Sequence, residues 1–131
     1  MPYEENDLNK VLYVEDDADI RAIAELALQD VGGFSARLCS SGAEAVEAAP
    51  DFQPDLILLD VMMPEMDGPE TLKALRKIEA TQTTPVIFMT ARIQRTEIDE
   101  YLSLGALGVI PKPFDPMTLA DEIRRMYQEL A

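Results

Sequence analysis

The residue around which the chemistry of this chain gathers is Asp60. It closes the apolar run Leu56-Ile57-Leu58-Leu59 and is followed by Met63-Pro64 and Met66-Asp67-Gly68, which are turn signals. A continuous apolar run suits a strand covered on both faces, as in a parallel sheet. A carboxylate therefore stands where a buried strand leaves its sheet, the edge at which open α/β sheets bind ligands. Taken alone, this stretch also fits an aspartate that merely caps the turn. Other polar groups follow apolar runs in the same way. Glu15-Asp16-Asp17 follows residues 10–14, Thr90-Ala91 follows residues 85–89, and Lys112 follows residues 108–110. If these strands are parallel, all four ends lie on one edge. Three carboxylates brought close together raise one another's pKa unless a cation sits among them. Hard oxygen ligands with neither His nor Cys point to Mg²⁺, or Mn²⁺ as a substitute. A lysine and a hydroxyl beside such a metal suit the equatorial oxygens of a phosphoryl group. An aspartate can itself be the nucleophile and form an acyl phosphate. The residues thus describe a Mg²⁺-dependent phosphoryl site with Asp60 as acceptor.

Composition narrows the choice of chemistry. The 131 residues are the length of one domain, large enough to bury a core without staples, and no linker divides them. There is no histidine, which removes Ser/His/Asp and Cys/His catalysis and His-based metal sites together. The single cysteine, Cys39, cannot form an internal disulfide; it reads as a small buried hydrophobe and the setting as a reducing cytoplasm. The net charge of −14 repels nucleic acid and anionic lipid while tolerating a cation. The first ten residues carry neither a basic nor an apolar region of a signal peptide, and no apolar run is long enough to span a bilayer.

The elements that must position these groups alternate. A strand at residues 10–14 precedes a helix with Asp17 as N-cap, an inner stripe of Ile20, Ile23, Ala24, Ala27 and Val31, and a stop at Gly32-Gly33. A more alternating strand over 34–39 suits a place nearer the sheet edge. Ser41 to Glu44 forms a capping box for a short Ala-rich helix to about Ala49. The strand at 54–60 leads to a helix over about 69–78 with Leu72, Leu75 and Ile78 inside. The strand at 85–89 leads to a polar helix over 95–103 ending at Gly105. After the brief strand at 108–110, Asp115 caps a last helix with Pro116 in its first position and Leu119, Ile123, Met126 or Tyr127, and Leu130 inside. Five strand–helix alternations with right-handed crossovers give an open α/β sheet with helices on both faces.

The acidic pair after the first strand, LLDVMMPEMDG, Thr90-Ala91 and Lys112-Pro113-Phe114, in that order over about residues 10–130, resemble the receiver domains of two-component response regulators. The resemblance implies a flavodoxin-like (βα)5 sheet of strand order 2-1-3-4-5 forming a single receiver domain. It implies that Asp60 takes a phosphoryl group from the phosphohistidine of a histidine kinase or from a small phosphodonor, and that the chain catalyses no other reaction than its own phosphorylation and dephosphorylation. Glu15, Asp16 and Asp60 would hold Mg²⁺, with the Met62 backbone carbonyl as a further ligand. Thr90, the Ala91 amide and Lys112 would contact the phosphoryl oxygens, Lys112 aimed by a cis Lys112-Pro113 bond.

Some positions depart from that pattern. Three residues before Lys112 such proteins usually carry an aromatic switch residue; here it is Val109, stiff at χ1. Two positions that tune the lifetime of the phosphoryl group are Met62 and Arg92. Methionine offers an attacking water no strong hydrogen bond, which predicts slow spontaneous decay. If the sequence is the whole protein, its output is a partner-binding face, by resemblance the fourth helix, fifth strand and fifth helix, or relay to a histidine phosphotransfer protein; phosphorylation-dependent dimerisation is a further expectation. Two other readings are weighed. A pseudo-receiver would bind partners without being phosphorylated, against the intact Glu15, Asp16, Asp60, Thr90 and Lys112. A haloacid-dehalogenase-type phosphatase would want a second aspartate two residues after the nucleophile, where Met62 stands.

Overall fold

The computed structural model describes residues 8–91 and 94–130; Arg92 lies outside them. Five parallel strands form one sheet, β1 (Lys10–Val14), β2 (Ser35–Cys39), β3 (Leu56–Asp60), β4 (Val86–Thr90) and β5 (Gly108–Pro111), in the order β2-β1-β3-β4-β5. Both the topology and the order agree with the expectation. In-register pairing runs Val14 against Leu59 and Asp60 against Met89. The central strands β3 and β4 are buried at every position, while the edge strand β2 exposes Ser35 and Arg37 and buries Cys39 at its end. Strand alternation splits the core in two. Val11, Tyr13, Leu58 and Met89 pack under α1 (Ala18–Glu25) and α5 (Leu119–Gln128). Leu12, Ile57, Leu59 and Phe88 pack under α2 (Gly42–Phe52), α3 (Gly68–Leu75) and α4 (Arg95–Ser103).

Several helix boundaries differ from the sequence reading, each for a local reason. Asp17 caps α1 as expected, accepting from the amides of Asp19 and Ile20. After Glu25, however, the helix widens into a π-helical segment, Leu26–Val31, closed by the Gly32 amide donating to the Ala27 carbonyl at 3.1 Å. The wider turn carries Leu28 into the core and leaves Val31 exposed, and Ile23, in the regular helix before it, is exposed as well, so the expected inner stripe holds only in part. Gly33, at φ +74°, ends the segment. The Ser41 hydroxyl accepts from the Glu44 amide, but the Glu44 carboxylate accepts from Ser40 rather than Ser41, so the expected box is half made. Helix α2 continues past Ala49 to Phe52 with Pro50 inside it. Helix α3 stops at Leu75, short of Ile78, because a 3₁₀ turn at Glu79–Thr81 follows and the Thr81 hydroxyl donates to the Leu75 carbonyl. Asp115 does not cap α5: its carboxylate accepts from Met117 within a separate turn, and the helix begins at Leu119. Leu119, Ile123 and Tyr127 are buried as expected.

Candidate functional site

At the carboxyl edge of the sheet, β1 delivers Glu15, β3 delivers Asp60 and the turn after β5 delivers Lys112. The Lys112 Nζ donates to Glu15 Oε1 at 2.9 Å and to Asp60 Oδ1 at 3.0 Å. Glu15 and Asp60 are buried, at 1% and 2% exposure, and Asp16 beside them is exposed. One carboxylate oxygen from each of Glu15, Asp16 and Asp60 lies within 4.8 Å of the others. The sequence reading therefore brought together residues that the fold does bring together.

Burial pushes the Glu15 carboxyl up to about 7, although the Lys112 ammonium and the Asp17 amide favour its ionised form; the nearby Asp60 charge adds to the rise. Burial by itself lowers the Lys112 pKa, but its bonds to Glu15 and Asp60 outweigh this and raise it. A single lysine thus holds two buried carboxylates, an arrangement with charge to spare for a cation. The donor set is oxygen only, which suits Mg²⁺ or Mn²⁺ and fits neither Zn²⁺ nor copper.

Local structure fixes these groups. The Glu15 amide donates to the Cys39 carbonyl at 2.9 Å, and Glu15 Oε2 accepts from the Asp17 amide at 3.2 Å. Beyond Asp60, the Val61 amide donates to Met89 and the Val61 carbonyl accepts from Gly68. A Cβ at Gly68 would meet the Asp60 carbonyl oxygen at 2.7 Å, so glycine is what lets α3 start against the exit of β3. Asp67 and Glu70 close that start with a full capping box. Met62 stands on the loop two residues past Asp60 and is 61% exposed. Thr90 is buried at the end of β4, one step past Met89, with the exposed Ala91 next to it on the same edge. The Lys112-Pro113 bond is cis. Val109 is half-buried and packs against the face covered by α2 to α4.

Two residues of this site escaped the sequence reading. Arg21, assigned to the outer side of α1, donates through Nη1 to the Glu15 carbonyl at 2.8 Å. Tyr13 is fully buried, two residues before Glu15 on the same strand face, with its ring centroid 6.4 Å from that of Phe114. Its hydroxyl has no hydrogen-bond partner among the described residues, and burial, with the Glu15 and Asp60 charges, holds it firmly protonated. A helical periodicity cannot flag Arg21, and an apolar strand hides a tyrosine; only their neighbours give them roles.

An open sheet of this order with buried acids and a lysine at its carboxyl edge defines a class of switch domain, and comparison with known proteins identifies it. Residues 11–124 match the family model of the response regulator receiver domain. The chain belongs to this family, a signalling-switch module of two-component systems whose members interact with histidine kinases. It is 41% identical over 119 residues to the transcriptional regulatory protein CpxR of Escherichia coli K12, covering 89% of this chain and 48% of that protein. It is 37% identical over 118 residues to the transcriptional regulatory protein CseB of Streptomyces coelicolor, covering 90% of this chain and 49% of that one. The chain therefore spans about half the length of these relatives. Among solved structures, the chemotaxis response regulator CheY4 of Vibrio cholerae superposes with a TM-score of 0.83 at 34% identity, over 91% of this chain and 98% of that one. No helix among the described residues is long and apolar enough to cross a membrane.

Proposed function

We propose that this receiver domain works by accepting a phosphoryl group on Asp60. An Asp60 carboxylate oxygen forms the new bond to phosphorus while the phosphorus–nitrogen bond of a phosphohistidine breaks, and the imidazole leaves with that electron pair and takes up a proton. The donor is a histidine kinase or a histidine phosphotransfer protein, and a small phosphodonor can replace it. Glu15, Asp16 and Asp60 would hold Mg²⁺, or Mn²⁺ in its place, with the Met62 carbonyl as a further ligand. When bound, the metal neutralises the carboxylates and the incoming phosphoryl charge. Lys112 leaves Glu15 for a phosphoryl oxygen, and Thr90 with the Ala91 amide contacts the others. Burial of Asp60 keeps competing water from most of its surface, and the exposed Met62 sets how readily water returns to hydrolyse the acyl phosphate. The cytoplasm is the setting, as the lone cysteine and the kinase partner suggest.

The observation that carries this reading is the single ammonium bridging Glu15 and Asp60, at 2.9 and 3.0 Å, within a cluster of three carboxylates. Intact mass after incubation with acetyl phosphate tests it. A gain of one phosphoryl group is expected that requires Mg²⁺ and is absent from Asp60→Asn. No gain in any condition would make the chain a receiver that binds partners without being phosphorylated.

A further inference from the structure

A groove of about 360 Å³ lies between α3 and the end of α4, lined by Pro69, Leu72, Lys73, Arg76, Lys77 and Leu104. Its centre is apolar, and Leu104 remains 41% exposed. Pro69 also lines a neighbouring groove of about 540 Å³ that reaches Met62 and Met63 just past Asp60. Together they follow the flank of α3.

Charge sets this surface apart. The chain carries 25 acidic and 11 basic residues, yet Lys73, Arg76 and Lys77 fall within five consecutive positions and line one wall. Lys73 is in the last turn of α3 and Lys77 follows its end, and both are exposed. The acid one turn before Lys73 is Glu70, one oxygen of which accepts from the Asp67 amide at 3.2 Å and which forms no ion pair with Lys73. Arg76 is tied through Nη1 to the Thr81 and Thr84 carbonyls at 2.8 and 2.6 Å, which fixes its charge at the groove. Neither Lys73 nor Lys77 takes part in an ion pair among the described residues. Basic side chains without an ion pair among the described residues, beside the exposed Leu104, are complementary to an acidic group outside the chain.

We propose that this groove docks an acidic segment of a partner protein, one that lays an apolar side chain against Leu104 and the Pro69 ring and sets carboxylates on Lys73 and Lys77. Apolar burial supplies the attraction. The charges supply position and orientation, because the rest of this acidic surface repels such a segment. The groove adjoins the phosphoryl site through Pro69 and the neighbouring groove at Met62, and the docking proposed is that of the unphosphorylated chain.

The test uses the whole chain, isotope-labelled, titrated with two short synthetic peptides of one leucine pattern, one flanked by glutamates and the other by lysines. The glutamate peptide is expected to shift the amides of Leu72, Lys73, Lys77 and Leu104 saturably. At this site it should bind about tenfold more tightly than the lysine peptide, although overall charge favours the latter. The Lys73→Glu/Lys77→Glu double variant, altered only at exposed positions, should reverse that order, and Leu104→Ser should weaken both peptides. Shifts scattered over the surface, the absence of saturable binding, or an order of affinity that the charge reversal leaves in place would each overturn the proposal.

Discussion

The two edges of the sheet treat buried polar groups in opposite ways. At the amino edge, charge is spent on the backbone: the Asp55 carboxylate accepts the amides of Asn9 and Lys10 at 3.0 and 2.8 Å, and Arg76 gathers the Thr81 and Thr84 carbonyls. At the carboxyl edge, Glu15 and Asp60 are buried facing each other with one lysine between them, and the Tyr13 hydroxyl below has no hydrogen-bond partner among the described residues. The first arrangement satisfies the groups it buries. The second leaves negative charge that only a cation or a rearranged lysine can compensate, so it costs stability in the metal-free state. The same sheet is thus anchored at one edge and poised at the other.

The contrast is broken most strongly at Lys112. In metal-free protein at about pH 8, Lys112→Met leaves two buried carboxylates without a counter-charge, and denaturant unfolding should show a loss of about 3 kcal/mol that shrinks as the pH falls and Glu15 takes up a proton. A loss that is independent of pH would mean that the lysine serves only packing.

Glu15 itself gives the next effect. Its folded carboxyl titrates near 7 against an ordinary 4.5, so in the unfolded chain the proton leaves first. This group is therefore neutral in its contribution below about pH 4.5, and stability falls as the pH rises from there to about 7, by on the order of 3 kcal/mol. Glu15→Gln should remove that decline when the two proteins are unfolded side by side in chelator. Parallel curves would show that Lys112 already keeps Glu15 ionised.

At the opposite edge, Arg76→Met removes donors to two carbonyls and should cost about 1.5 kcal/mol while leaving the extent of phosphorylation by acetyl phosphate unchanged. A change in phosphorylation would show that the edges are coupled. The smallest effect is on a rate. Met62→Asn places a hydrogen-bonding side chain over Asp60 and should speed loss of the phosphoryl group a few-fold, equivalent to less than about 1 kcal/mol in the barrier. Decay no faster than in the original chain would remove Met62 from any role in hydrolysis.

The reading of the sequence succeeded where pattern is local. Five apolar runs, each ended by a turn signal, place Glu15, Asp60, Thr90 and Lys112 at strand ends, and parallel pairing then puts those ends on one edge. It failed where a turn competes with a helix. Asp115-Pro116 has the form of a helix start, but the chain uses it as a separate turn before Leu119, and the π-helical segment after Glu25 rotates α1 so that Leu28 and not Val31 faces the core. Hydrogen-bonding choices of this kind depend on what packs against the segment.

By itself, then, the sequence determined the order of elements, the parallel sheet, and the set of oxygen and nitrogen groups at its carboxyl edge, because periodicity and punctuation act within a few residues. Only the tertiary structure decided how those groups are paired. Lys112 meets Glu15 across 97 positions and Asp60 across 52, Arg21 turns inward to the Glu15 carbonyl, and Tyr13 is sealed beneath them. Such pairings follow from strand order and side-chain reach in three dimensions, which no local spacing encodes.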